Sequence, residues 1–171
     1  MTGAAAGTGG ACARLGVIVA ALTFLADQGH KLWMLEWLGI GPSDRIALTP
    51  FLDIVFVLNP GISYGLFGQS SFTGQVLLSV FAVVASIGLS LWLKRTTSKV
   101  LAVALGCIIG GALANALDRL ILGGVADFFS LHAYGFYWYI FNIADVAIVA
   151  GVALLLYDML RSGRNVAAKS P

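Results

Sequence analysis

Apolar residues fall along the chain in four long blocks, Leu15 to Trp37, Phe72 to Leu93, Val100 to Leu122 and Tyr137 to Tyr157, separated by segments richer in polar residues, Gly and Pro. Each block is close to the roughly 20 residues that carry a helix across about 30 Å of hydrocarbon. The pattern predicts four transmembrane helices within a single membrane domain, residues 14–160. Residues 1–13 are almost all Gly, Ala and Thr, a composition expected to form a disordered cytoplasmic tail, and residues 161–171 form a basic one. The outer segments are 38–71 and 123–136. The first is too long for a plain connector. In it Phe51 to Leu58 reads as a strand, Asn59-Pro60-Gly61 as a turn, and Tyr64 to Phe67 as a second short apolar run. The expected fold class is an all-α polytopic membrane protein with a small extracytoplasmic β-sheet element between helices 1 and 2.

Composition strengthens the membrane reading. Of 171 residues, 59% are hydrophobic and 11% are charged, against about 25% charged in soluble domains. Mean hydropathy is +0.92, which leaves too little polar surface to wrap a core in water. A net charge of +2 gives no argument for a nucleic-acid partner. The placement of the charges is more informative. Arg14, Lys94, Arg95, Lys99, Arg161, Arg164 and Lys169 flank the spans on one side and Arg45 stands alone on the other, so the positive-inside rule puts both termini in the cytoplasm. Trp33, Trp37 and the run Phe136 to Tyr139 then fall at the outer interface, where aromatic belts form. Cys12 and Cys107 lie too far apart along the predicted topology for a disulfide and read as packing residues.

Candidate chemistry lies inside the spans. An ionisable group at a helix centre costs about 2.5–3.5 kcal/mol on insertion scales. Helical spacing groups Asp27, His30 and Lys31 into one stripe, Asn115, Asp118 and Arg119 into a second, and Asn142 and Asp145 into a third. At about 1.5 Å rise per residue, all three stripes fall in the outer half of the membrane, at one level. Asp127 lies just beyond Gly123-Gly124 at the same level, while the second span carries no charge and is expected to pack as a wall. Four acids (Asp27, Asp118, Asp127, Asp145) thus face two bases (Lys31, Arg119). Two unmatched carboxylates in a low dielectric tend to share a proton, the state from which an aspartic dyad activates water. The count does not choose which two. It also leaves open a buried ion-pair layer, or a proton relay in a small proton-coupled carrier or adaptor. Gly61-Ile62-Ser63-Tyr64-Gly65 has the form G-x-S-x-G, but it lacks the strand-turn-helix context that a serine nucleophile requires.

Five segments together resemble the bacterial lipoprotein signal peptidase, or signal peptidase II, family. They are Asp27-Gln28-Gly29-His30-Lys31, Asn59-Pro60-Gly61-Ile62-Ser63-Tyr64-Gly65, Gly110 to Arg119, Gly124-Val125-Ala126-Asp127-Phe128, and Phe141-Asn142-Ile143-Ala144-Asp145, in family order. The resemblance implies an aspartic endopeptidase of the bacterial cytoplasmic (inner) membrane. It would cut diacylglyceryl-modified prolipoprotein substrates just before the lipidated cysteine, near the outer leaflet and in contact with membrane lipid. It further implies that Asp127 and Asp145 are catalytic, that Asn59, Asn115, Arg119 and Asn142 bind substrate or hold the dyad, and that Asp27, Lys31 and Asp118 give structural support. No metal, organic cofactor or nucleic acid is expected, and the protein is expected to be monomeric. Ile62, Ser63, Tyr64 and Ala114 depart from the family pattern.

Overall fold

Capping and small residues set the helix ends and the helix packing. In the computed structural model, which describes residues 3–61 and 71–167, four long helices and four strands are present among those residues. Helix α1 (Gly3–Leu32) runs into a π-helical turn, Trp33–Trp37, whose wide closure is marked by the Leu38 N–H donating to the Trp33 carbonyl at 3.0 Å. Strands β1 (Arg45–Thr49) and β2 (Leu52–Asn59) follow, then α2 (Phe72–Leu93), α3 (Lys99–Leu122), β3 (Val125–Ala133), β4 (Phe136–Phe141) and α4 (Ile143–Ala167). Ser71 caps α2 by accepting the Gly74 N–H at 3.2 Å, and Ser98 caps α3 by accepting the Leu101 N–H at 3.2 Å. Gly123 ends α3 at φ +76°, a left-handed position that favours glycine.

Helix α3 is central, packed against α1, α2 and α4. Its buried positions are mostly small, including Ala102, Ala104, Gly106, Gly110, Gly111 and Ala114, which lets the backbones approach closely, as in other membrane bundles. A Cβ on Gly111 would sit 2.7 Å from the Ala144 carbonyl oxygen, so this glycine brings the first turn of α4 against α3. The outer helices leave Leu22, Leu25, Phe81, Val84, Val149 and Leu156 exposed, apolar faces that suit lipid. Four helical stretches, Gly9–Trp37, Phe72–Leu93, Lys99–Leu122 and Ile143–Ser162, are long and apolar enough to cross a membrane.

The strands form one antiparallel sheet in the order β1-β2-β3-β4, with Val57 opposite Asp127 and Phe129 opposite Phe141. Met34, Ile40, Ile54, Ala126 and Phe128 make a buried cluster joining the π-turn to the sheet. One side chain from each strand meets in a polar group: Arg45 Nη1 lies 2.7 Å from Asp53, His132 Nε2 lies 3.0 Å from Asp53, and the Arg45 guanidinium sits 4.8 Å over the Tyr137 ring.

Three expectations are corrected. The sheet is not confined to the segment between helices 1 and 2: β3 and β4 supply half of it, so the chain is not all-α. Tyr134 (φ 50°) and Gly135 (φ 83°) form the tight two-residue loop joining β3 to β4. The fourth span begins at Ile143 rather than Tyr137, because the aromatic run Phe136–Phe141 is strand β4. Helix α1 extends back to Gly3, through residues expected to be a tail; Ala favours helix, and Cys12 is buried with its Sγ donating to the Thr97 carbonyl at 3.3 Å. The Tyr64 to Phe67 run and the Ile62-Ser63-Tyr64 departures lie outside the described residues. Cys12 and Cys107 are both free thiols.

Candidate active site

The site is assembled at the start of α4. Asn142 precedes the helix and its Oδ1 accepts the Asp145 N–H at 2.9 Å, while Asp145 Oδ2 accepts the Asn142 N–H at 3.4 Å. This reciprocal capping box satisfies two helix-end donors and fixes where Asp145 points. A third, the Ala144 N–H, donates to Asp27 Oδ1 of α1 at 2.9 Å. The local sequence Asn142-Ile143-Ala144-Asp145 therefore acts as a helix start and as a site at once.

Behind it lies a buried ion network. Lys31 Nζ stands 2.7 Å from Asp27 Oδ2 and 2.6 Å from Asp118 Oδ2, and donates to Asn115 Oδ1 at 3.3 Å. Asp118 Oδ2 also accepts the Ala126 N–H at 3.1 Å, which sets the start of β3 one residue before Asp127. Asp27 thus orients the start of α4, Asp118 orients the start of β3, and Lys31 joins them. Gln28, to which the sequence reading gave no role, donates to Asp118 Oδ1 at 2.8 Å and to the Ala114 carbonyl at 3.3 Å. Ala114 is itself fully buried. His30, expected on the same polar stripe, instead stacks on Phe129 with ring centroids 5.0 Å apart, because the π-turn and β3 close over that face of α1.

The structure divides the four acids of the site, of which Asp27, Asp118 and Asp127 are buried and Asp145 is half-buried, into two kinds. Asp27 and Asp118 face Lys31, whereas Asp127 and Asp145 are held by amides. Asp127 accepts Asn142 Nδ2 at 2.7 Å and Asn59 Nδ2 at 3.1 Å; Asp145 accepts Asn115 Nδ2 at 2.9 Å. Asn142 Nδ2 also reaches Asn115 Oδ1 at 3.2 Å, linking the two acids through a single amide layer. Arg119 directs its guanidinium at backbone carbonyls, Nη1 to Asn115 at 3.1 Å and Nη2 to Gly61 at 3.0 Å. Burial and the neighbouring Asp145 carboxylate push the Asp127 carboxyl up to about 7, against the Asn59 and Asn142 donors that favour its ionised form.

Asp127 and Asp145 line a cavity of about 330 Å³ together with Asn59, Asn115, Arg119 and Tyr139. Phe81 of α2 and Val149 of α4 form part of its wall and are 73% and 69% exposed, so the cavity opens toward the apolar surface of the bundle. Asp127, Asp145, Asn59, Asn115, Arg119 and Asn142 are brought together around this cavity, and Asp27, Lys31 and Asp118 in the network behind it, whereas His30 is not. The sequence reading missed Gln75 of α2, which is buried and donates to the Pro60 carbonyl at 2.7 Å. The one available signal was an amide near the end of an otherwise uncharged span.

Four membrane-length helices, with amide-held carboxyls in a cavity that α2, α3, α4 and the sheet line and that opens on an apolar surface, define a helical membrane protein with a candidate active site. The chain belongs to the signal peptidase II family: residues 19–161 match the family described as Signal peptidase (SPase) II. It is 55% identical over 151 residues to the lipoprotein signal peptidase of Methylocella silvestris, covering 88% of each chain. It is 49% identical over 148 residues to that of Beijerinckia indica, covering 86% of this chain and 89% of the relative. Among solved structures, a bacterial membrane enzyme determined by the in meso method superposes with a TM-score of 0.74 at 27% identity, covering 88% of this chain and 90% of that one. Membership makes the chain a multi-pass bacterial membrane protein and a protease, and it does not favour the carrier or adaptor alternative.

Proposed function

We propose that this protein is an intramembrane aspartic endopeptidase that removes signal peptides from prolipoproteins by hydrolysing the bond before a diacylglyceryl-modified cysteine. The observation that carries the reading is the division of the site's four acids: Asp127 and Asp145 share the cavity wall and an amide layer, while Asp27 and Asp118 are matched by Lys31. Water held between the two carboxyls loses a proton to the ionised one as its oxygen attacks the scissile carbonyl carbon. The protonated carboxyl donates to the carbonyl oxygen. Collapse of the tetrahedral intermediate breaks the C–N bond, the amine leaves with a proton, and the dyad returns to its singly protonated state. Asn59, Asn115 and Asn142 hold the two carboxyls in place, and Arg119 holds the Asn59 turn beside the scissile bond. Asp27, Lys31 and Asp118 support the start of α4 and β3.

The apolar mouth suits a substrate tethered by acyl chains, which places its scissile bond close to the interface. The distribution of Lys and Arg supports an inner-membrane enzyme with both termini cytoplasmic and the site near the outer leaflet. The test is cleavage of a synthetic diacylglyceryl-cysteine prolipoprotein peptide in detergent, with an unlipidated control. Wild type cuts the lipidated peptide alone, and Asp127→Asn and Asp145→Asn each lose about 10²–10⁴-fold in rate while keeping a cooperative melt. Full activity in either variant overturns the reading.

A further inference from the structure

The turn that delivers Asn59 to Asp127 is clamped from two helices. Within it, the Gly61 N–H donates to Asn59 Oδ1 at 3.0 Å, which leaves Asn59 Nδ2 to donate to Asp127 Oδ2 at 3.1 Å. Arg119 of α3 holds the Gly61 carbonyl at 3.0 Å, and Gln75 of α2 holds the Pro60 carbonyl at 2.7 Å. Gln75 is 1% exposed while Pro60 is exposed, so the bond ties an outer turn to a buried amide, and Pro60 has no N–H with which to anchor the turn itself. One helical turn further along, Ser79 Oγ lies 2.9 Å from the Gln75 carbonyl and 3.1 Å from the Ala116 carbonyl, pinning α2 to α3 without touching the turn.

We infer that Gln75 is a positioning residue for the peptidase reaction: through the Pro60 carbonyl it holds the turn that keeps the Asn59 amide on the Asp127 carboxylate. The inference rests on the dyad reading above. The charged groups acting on Asp127 come from the other helices, namely Asp145 of α4, Lys31 of α1 and Arg119 of α3. Helix α2 carries no ionisable side chain, so Gln75 acts on Asp127 through the turn it holds and not through a charge of its own helix.

The experiment is steady-state cleavage of the lipidated peptide across pH by full-length Gln75→Met and Gln75→Asn, with Ser79→Ala as a packing control and Asp127→Asn alongside. Met keeps the length and loses the donor; Asn keeps the amide and withdraws it from Pro60. Gln75→Met lowers kcat by about tenfold with KM within twofold, and Gln75→Asn lowers it by about threefold. Both shift the pH–rate profile toward higher pH, because a looser Asn59 donor no longer favours ionised Asp127. Ser79→Ala leaves kcat and profile in place even if its Tm falls. Wild-type kcat and profile in Gln75→Met overturn the inference, with Gln75→Asn deciding on the same readouts if the Met variant does not fold. An equal profile shift in Ser79→Ala overturns it too, by making the effect one of general packing. If Asp127→Asn is inactive while Gln75→Met behaves as wild type, only the role of Gln75 fails; if Asp127→Asn is active, the dyad reading fails.

Discussion

Replacing Lys31 by Met removes one positive charge from a site where its side chain is 4% exposed, 2.7 Å from Asp27 and 2.6 Å from Asp118, themselves 0% and 3% exposed. Methionine keeps the unbranched stem, so little packing is lost and the effect is that of the charge. At an effective dielectric of about 20, each contact supplies roughly 6 kcal/mol of attraction, most of it offset by the desolvation of the three groups. What remains measurable is the cost of two buried carboxylates left without a cation, about 3–5 kcal/mol on the precedent of other broken buried pairs. At about 2–4 °C per kcal/mol for a chain of this size, Tm falls by about 6–20 °C. The damage also reaches the reaction, because Asp27 holds the Ala144 N–H and Asp118 holds the Ala126 N–H, and these bonds set the starts of α4 and β3. Tryptophan-fluorescence melts in detergent, combined with peptide cleavage well below Tm, check both parts. The double variant Lys31→Met/Asp118→Asn recovers part of the loss, since it removes one stranded charge. A Tm within about 2 °C of wild type with unchanged cleavage would refute the reasoning, by showing that the network carries no net stability and positions nothing.

Two further outcomes follow from the geometry. The Asp127 carboxyl, raised from 3.8 to about 7, stays protonated in the folded state across a range where the unfolded chain has lost the proton; folding stability therefore falls as pH rises from about 4 to about 7. Asp127→Asn removes that slope from a series of melts, and an identical slope in the variant would contradict the shift. Gly111→Val places a Cβ 2.7 Å from the Ala144 carbonyl oxygen and 2.8 Å from Ile148 Cγ1. Overpacking of this kind costs about 1–3 kcal/mol and pushes α4 off α3, so both Tm and cleavage fall, with Gly111→Ala intermediate; wild-type melting of the Val variant would show that the contact yields freely.

Much of this protein is determined locally. A span must be about 20 apolar residues long whatever surrounds it, so four membrane helices are legible in hydropathy alone. An acid within or beside an apolar span is costly enough to stand out, so every acid of the site is visible in the chain. The family motifs are short runs whose members the backbone itself keeps together, such as Asn142 and Asp145 in one capping box. The sheet is different, because strand pairing is a long-range choice. Phe136–Phe141 satisfies the pattern of an interfacial belt equally well until β3 arrives beside it. Helix α1 likewise reaches back over residues whose composition suggested a tail, where Cys12 meets the carbonyl of Thr97.

The site shows the same split. Composition and spacing supplied four acids and two bases, but only the packing of α1 against α3 places Lys31 between Asp27 and Asp118 and leaves Asp127 and Asp145 to the asparagines. Arg119, in sequence a candidate partner for a carboxylate, turns to the carbonyls of Asn115 and Gly61 because the Asn59 turn folds over it. Gln75 sits on a span without a charge and acquires a partner only when residue 60 is brought beside residue 75. Charge and hydropathy are properties of residues and can be read one at a time, whereas hydrogen-bond partners across helices depend on distances of about 3 Å that no single segment holds.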